Sequence, residues 1–391
     1  MTRIHLLGVG SIGTLLAHNL RVTSPTTPLT LLVRSPRGFP NTITCTRDGV
    51  RSTSTGYEIE SSNPLSEYQR TDEPIKSLIV TTKTTQTVNA IEPLLPRLNR
   101  DSVITLLQNG MGVHSELIHT HFTDVKERPS FILGTTPHGA FTNSKGNVNH
   151  TTPAGKGFIK WGVVPPSPSS FFTGQSFENL ISSFVNEDTQ SDPHKDVLDN
   201  VHSTAKENAS ETIETEGLKT LKDTLTALTK MTDLNSDVIP FDKLNQAMLF
   251  KLAVNASVNP ITAILGRGKL TNSSLLDIPI GLEIVNKLVD ECSEILIKHL
   301  TSSGETNKIS REDLSVFEKD SMKETIKQII SSTSNNVTSM AVDIRDRRET
   351  EIDYINGYMI KLGKELGCKT EINQLVYDMI KFMTESNKDK V

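Results

Sequence analysis

Ile4-His5-Leu6-Leu7-Gly8-Val9-Gly10-Ser11-Ile12-Gly13-Thr14-Leu15-Leu16 is the stretch on which the fold turns. The apolar run Ile4–Leu7 reads as a strand, and 12–20 carries the period of a helix. Between them stands Gly8-Val9-Gly10-Ser11-Ile12-Gly13, a G-x-G-x-x-G pattern. In a chain with 23 glycines that pattern alone is weak. Placed after a strand and opening a helix, it has the context a dinucleotide-binding βαβ unit requires, against the plain alternative of a tight turn. Gly8 permits the turn, Gly10 lets the backbone approach a pyrophosphate, and Gly13 allows the helix to pack closely on the strand. The helix N-terminus then offers free N–H groups to the phosphates.

Working outward, strands are expected at Leu29–Val33, 77–82 and Val103–Leu107, with helices at 12–20 and 88–98. That alternation argues a mostly parallel sheet covered by helices. Around 131–162 the pattern changes to short strands with glycine turns, an antiparallel extension. Regularity lapses from 165 to 217, beginning at Pro165-Pro166-Ser167-Pro168. Residues 186–217 hold nine carboxylates and two lysines, a local charge of −7, so the rest of the chain is +2 although the whole is −5. We read 164–217 as an acidic surface insertion, at least partly mobile, in which 177–184 could make two helical turns. After a helix and short strand at 218–238, the chain turns helical: 241–265, 280–300, 310–332, 336–366 and 371–383. Ser310, with Asp313 three residues on, opens the third in the manner of a capping box. The expected architecture is an α/β N-terminal Rossmann-type dinucleotide-binding domain, 1–238, followed by an all-α C-terminal domain, 239–391.

Composition removes other classes. A nearly neutral body lacks the basic face that nucleic-acid binding needs. No run of about 18 apolar residues suggests a membrane span. The start of the chain leads straight into a strand, which leaves no room for a targeting peptide. Cys45, Cys292 and Cys368 are odd in number and widely spaced, which suits neither a disulfide framework nor a zinc site, so no metal is expected. A reducing compartment, the cytoplasm, is the default, and an apolar helical C-terminal half is compatible with a homodimer.

Three further patterns bear on chemistry. Dinucleotide folds that use NAD place a carboxylate at the end of the second strand, but this chain has Val33-Arg34-Ser35-Pro36-Arg37. Arg34, with Arg37 as a second candidate, can pair with a 2′-phosphate and so favours NADPH; two solvated surface arginines are the alternative. In Lys251-Leu252-Ala253-Val254-Asn255-Ala256-Ser257-Val258-Asn259-Pro260, the residues Lys251, Asn255 and Asn259 recur at i, i+4, i+8 and share one helix face. Burial lowers a lysine's pKa, which suits a general acid that protonates an alkoxide as it forms. The competing reading has Pro260 kinking the helix, Asn255 or Asn259 satisfying the freed backbone, and Lys251 reaching solvent. Ser339, Asp343 and Glu351 stand at i, i+4, i+12, which alone suggests a charged helix face.

Taken in order, Gly8–Gly13, Thr82-Lys83-Thr84-Thr85-Gln86, Gln108-Asn109-Gly110-Met111-Gly112, Gly134-Thr135-Thr136-Pro137-His138-Gly139-Ala140, Lys251–Pro260 and Ser339…Asp343…Thr350-Glu351-Ile352-Asp353-Tyr354-Ile355-Asn356-Gly357 resemble the ketopantoate reductase (2-dehydropantoate 2-reductase) family. The resemblance covers nearly the whole chain outside the insertion. It implies NADPH-dependent reduction of a small 2-oxo acid, 2-dehydropantoate, to (R)-pantoate on the route to pantothenate and coenzyme A. It implies that Gly8, Val9, Gly10, Ser11, Ile12, Gly13 and Arg34 hold the cofactor, with Lys83, Asn109, Ala140 and Glu351 toward its nicotinamide half. Lys251 and Glu351 become the catalytic pair. Asn109, Lys251, Asn255, Asn259, Asn336 and Ser339 become the substrate ligands. Two departures stand out: Arg267-Gly268-Lys269-Leu270 where many members carry Asn-Gly-Glu-Leu, and Arg347 where glycine is frequent. They leave open a different branched 2-oxo acid as substrate. A non-catalytic NADP-binding scaffold is the reading from another class, and the retained polar stripe argues against it.

Overall fold

The computed structural model describes residues 1–63, 71–166, 175–185, 215–266, 269–302 and 309–388. These form two compact units. The first comprises Met1–Thr82, Asn89–Gln108 and Leu117–Leu244; the second comprises Lys83–Val88, Asn109–Glu116 and Asn245–Val391.

The first unit is built on an eight-stranded sheet. Its order is Ser236–Val238, Ile159–Val163, Ser130–Thr135, Val103–Leu107, Ser77–Val80, Ile4–Leu7, Leu29–Val33 and Glu58–Ser61. The last six in that order run parallel, with Ile4 opposite both Leu29 and Ser77. Read along the chain this is the 3-2-1-4-5-6 order of a Rossmann fold, and the order reverses beside Ile4–Leu7. Four of these strands are buried at every residue, as parallel strands covered on both faces must be. Of the antiparallel extension expected around 131–162, Ile159–Val163 does join antiparallel to Ser130–Thr135, but Ser130–Thr135 itself pairs parallel with Val103–Leu107.

A second sheet, of four strands, lies outside the sequence expectations in part: Val50–Thr55, Thr42–Arg47, Asn147–His150, Ala140–Ser144. Its first hairpin turns at Asp48-Gly49, both with positive φ (50° and 79°), the geometry of a type I′ turn. Thr- and Ser-rich strands with one exposed face carry little hydrophobic pattern, so the Asp-Gly pair was their main sequence signal.

Helix boundaries differ from expectation in three places. The helix expected at 88–98 starts earlier, as Thr84–Ile91, and tightens to a 3₁₀ turn over Glu92–Arg97, where Pro93 and Pro96 deny backbone donors. The helix expected at 310–332 is two, Arg311–Ser315 and Lys319–Ser332. Ser310 does cap the first, accepting from Asp313 N at 3.0 Å. The stretch 336–366 breaks into Ser339–Arg345, a 3₁₀ turn Ile352–Tyr354, and Asn356–Glu365. The break passes through Arg347, whose φ of 55° is left-handed, a conformation that glycine adopts without steric cost. Of the acidic insertion, 167–174 and 186–214 lie outside the described residues; within it Gln175–Ser182 is helical.

Among the described residues the second unit is helical apart from its connections. Phe241–Gly266 begins in the first unit's last residues and supplies the second unit's central rod from Asn245 onward. Around it Pro279–Ser302, Lys319–Ser332, Asn356–Glu365 and Glu371–Lys388 share one apolar core, including Leu252, Ala256, Val285, Leu288, Ile326 and Met359. Phe241–Gly266 is long and apolar enough to cross a membrane, but 56% of its most apolar window is buried within the protein. Core helices of folded domains meet the same length and hydropathy test.

Candidate active site

In the first unit the strand Ile4–Leu7 delivers the chain to Gly8, whose φ of 95° only glycine adopts easily. The turn is held by Gly10 N–H to Gly8 O (2.8 Å) and by the Thr81 hydroxyl to the same carbonyl (2.6 Å). A Cβ on Gly13 would run into that carbonyl, so the helix can approach the turn only with glycine there. Helix Ser11–Thr23 has no side-chain cap and no acidic residue in its first turn. Its first N–H groups therefore lack a side-chain acceptor. A Cβ on Gly10 would meet no atom within 4 Å, so open space lies in front of the loop. Val9, Ser11 and Ile12 are half-buried. An uncapped helix N-terminus with open space before it is a cradle that fits a phosphate group. Arg34 and Arg37 are exposed beyond the end of Leu29–Val33, and the residues 34–40 contain no carboxylate. Ala140 is half-buried at the start of Ala140–Ser144.

In the second unit a polar group forms around Glu351, which is buried (8% exposed). Its Oε1 accepts from Thr84 N at 3.0 Å and lies 2.8 Å from the Thr84 hydroxyl. Its Oε2 accepts from Asn109 Nδ2 at 3.4 Å. The other end of the Asn109 amide, Oδ1, accepts from Lys251 Nζ at 3.2 Å. Asn109 thus stands between the ammonium and the carboxylate, with its orientation set by both. Burial lowers the pKa of Lys251 to about 8, and the Glu351 charge partly offsets that fall.

The loop carrying Asn109 is fixed by close backbone approach. Gly110 has a φ of 78°, and a Cβ there would lie 2.5 Å from Tyr354 O. Met111 N donates to that same carbonyl at 2.8 Å, and the Tyr354 hydroxyl donates to Glu116 Oε2 at 2.7 Å. The 3₁₀ turn after Glu351 is therefore the seat of the Asn109 loop.

A second carboxylate, Asp343 (4% exposed), pairs with Lys83 Nζ at 2.6 Å and Arg348 Nε at 3.2 Å. Lys83 also donates to Glu349 O at 3.2 Å. Lys83 is tied to Asp343, then, while its neighbour Thr84 holds Glu351.

Lys251, Asn255 and Asn259 are all helical and half-buried, as the spacing expects. The side chains of Asn255 and Asn259 make no hydrogen bond among the described residues, so their amides are available to a ligand. The carbonyl that Pro260 leaves without a helical donor, Ala256 O, is bonded at 3.0 Å by Asn356 Nδ2. Neither Asn255 nor Asn259 is used for that repair. Ser339 and Asn336 are exposed near the start of Ser339–Arg345, and no side-chain hydrogen bond joins them to the Glu351 group among the described residues. The helical spacing of Ser339, Asp343 and Glu351 does not hold: the left-handed Arg347 ends that helix, and Glu351 comes to its place through a turn. Arg267 and Gly268 lie outside the described residues. Thr84 was missed as a site residue; its signal was a hydroxyl residue opening a helix, with three residues between it and a strand.

Residues 4–166 match the family model described as "Ketopantoate reductase PanE/ApbA", and residues 243–384 match "Ketopantoate reductase PanE/ApbA C terminal". Among curated proteins, the 2-dehydropantoate 2-reductase of Saccharomyces cerevisiae is 28% identical over 99% of this chain and 96% of its own length. That of Vibrio cholerae is 27% identical over 79% of this chain and 78% of its own. Among solved structures, the ternary structure of D-mandelate dehydrogenase with NADH and anilino(oxo)acetate superimposes with a TM-score of 0.68 at 14% identity, covering 99% of this chain and 100% of that one. At that identity the likeness speaks for the fold. Together the fold and the matches define an oxidoreductase with a Rossmann-type α/β part and an all-α part. The chain belongs to the ketopantoate reductase family.

Proposed function

We propose that this protein reduces 2-dehydropantoate to (R)-pantoate with NADPH, in the cytoplasm, on the route to pantothenate and coenzyme A. The observation that carries the reading is the Lys251–Asn109–Glu351 group: a lysine with its pKa lowered to about 8, on a helix face with two amides that make no hydrogen bond among the described residues. The shared name of the yeast and Vibrio relatives supports the choice of substrate.

Residues 1–238 are the cofactor half in this reading and 239–391 the substrate half. Gly8 to Gly13 would hold the pyrophosphate, and Arg34 the 2′-phosphate. Lys83, Asn109, Ala140 and Glu351 are assigned to the nicotinamide half. When bound, the cofactor supplies a hydride to the ketone carbon. Lys251 keeps a proton on Nζ and delivers it to the ketone oxygen as negative charge gathers there. Glu351 favours the charged form of Lys251, and Asn109 sets the direction of the ammonium. Asn255, Asn259 and Ser339, with Asn336, would receive the substrate's carboxylate and hydroxyl. A homodimer belongs to the same reading, and a monomeric mass by light scattering would remove it.

A second reading keeps the chemistry but takes another branched 2-oxo acid, on the strength of Arg267-Gly268-Lys269-Leu270 in place of Asn-Gly-Glu-Leu. The test is absorbance-monitored NADPH oxidation with 2-dehydropantoate and, in parallel, 2-oxoisovalerate, with NADH as the cofactor control. Faster turnover of 2-dehydropantoate with NADPH is expected. Preference for 2-oxoisovalerate would favour the second reading, and equal use of NADH would remove the role given to Arg34.

A further inference from the structure

Pro260 stands inside the helix Phe241–Gly266, directly after Asn259. Having no N–H, it leaves the carbonyl of Ala256 without the donor four residues on. A buried carbonyl must find a partner elsewhere or weaken the helix at that turn. Asn356 is that partner: its Nδ2 donates to Ala256 O at 3.0 Å and to Asn373 Oδ1 at 3.0 Å. Asn373 in turn donates through Nδ2 to Glu291 Oε2 at 2.9 Å. Glu291 also accepts from Ile372 N (2.8 Å) and Asn373 N (2.9 Å), in the first turn of Glu371–Lys388. A carboxylate is favoured at a helix N-terminus, which anchors this end of the chain of bonds.

Both asparagines are completely buried. Chemistry fixes how the Asn356 amide points, because two acceptors, Ala256 O and Asn373 Oδ1, face one end of it; only the NH₂ end can satisfy both. The Asn356 side-chain oxygen, Oδ1, has no hydrogen-bond partner among the described residues. That arrangement is tolerated for the sake of the two donated bonds.

Ala256 lies between Asn255 and Asn259 on the stripe helix. We propose that Asn356 is a positioning residue for the 2-oxo acid: by supplying the rung that Pro260 removes, it keeps the helix regular where Asn255 and Asn259 project. The two amides then stay on one face, a turn apart. Asn356 does this without touching substrate, and the inference rests on the reading of Asn255 and Asn259 as substrate ligands.

The test compares four proteins by steady-state kinetics and thermal unfolding: unmodified, Asn356→Ala, Pro260→Ala, and the double variant. Losing one bond to a buried carbonyl, Asn356→Ala raises KM for the 2-oxo acid roughly tenfold. It lowers Tm and leaves KM for NADPH within about twofold, since no cofactor residue is disturbed. Pro260→Ala restores a backbone N–H for Ala256 O. In that background Asn356→Ala leaves the 2-oxo acid KM within about twofold, while a loss of Tm persists because Asn373 Oδ1 still lacks a donor. The same rise in KM in both backgrounds, or a fall in Tm with no change in KM, overturns the proposal. Asn356→Ser, a milder loss, is read in the same way should the alanine variant not fold. An unmodified protein that turns over no 2-oxo acid removes the substrate reading itself, and this role with it, before any variant is made.

Discussion

Lys251 shows how burial and a neighbouring charge together tune one proton. Desolvation lowers its pKa and Glu351 raises it, with a value of about 8 as the balance. A general acid must be protonated, so kcat for reduction is expected to be full below that value and to fall as pH rises through it. Glu351→Gln removes the charge that favours the ammonium, so the fall should move to lower pH. A kcat–pH profile whose basic limb stays in place, or moves up, contradicts this coupling. At Arg34 the proposed contact is a charge-assisted bond to a 2′-phosphate, worth about 1.5–3 kcal/mol. Arg34→Ala should therefore raise KM for NADPH roughly ten- to hundredfold and leave KM for NADH nearly unchanged. An equal change for both cofactors would show that Arg34 does not read the phosphate.

Among the elements, the loop at Asn109-Gly110-Met111 depends on glycine twice over, for its left-handed φ and for its approach to Tyr354 O. Gly110→Ala meets both penalties, and an unfavourable φ alone costs about 1–3 kcal/mol. A Tm lowered by several degrees is expected, together with a kcat lowered at least as much as for a loss of Asn109 alignment, roughly tenfold. Unchanged Tm and kcat would mean the loop is not seated as described. Elements were legible in the sequence where a period is sustained. Four of the six parallel strands announced themselves as apolar runs, and the Lys251 stripe as an i, i+4, i+8 series on a helix that stays unbroken; Glu58–Ser61, half of it glutamate, gave no such run. They were illegible where backbone strain or a distant partner decides. Nothing in 336–366 marked Arg347 as left-handed except a comparison with glycine at that place, and so spacing alone set Glu351 on a helix face with Ser339 and Asp343 where the structure has a turn. Thr84 and Asn356 act through partners 267 and 100 residues away, a separation no local spacing can reveal. The Thr-rich hairpin at 42–55 lacked the apolar alternation that identifies a strand and had only Asp48-Gly49 to mark it.

At the scale of the whole molecule, the proposed function divides the chemistry between two units. The first carries the uncapped glycine loop and Arg34; the second carries Lys251, Asn109, Glu351 and the amides of Asn255 and Asn259. The chain's net −5 hides this, because the acidic 186–217 segment outweighs a body of +2 that is compatible with anionic ligands. A division of labour means that removing the proton donor should stop the reaction without loosening the cofactor. The decisive measurement is NADPH oxidation with 2-dehydropantoate by Lys251→Ala, set beside NADPH binding by the same protein. Turnover is expected to fall by about 10²–10⁴-fold, the usual worth of a positioned general acid, with NADPH affinity within about twofold of the unmodified protein. Turnover close to the unmodified rate would contradict the assignment of Lys251 as proton donor.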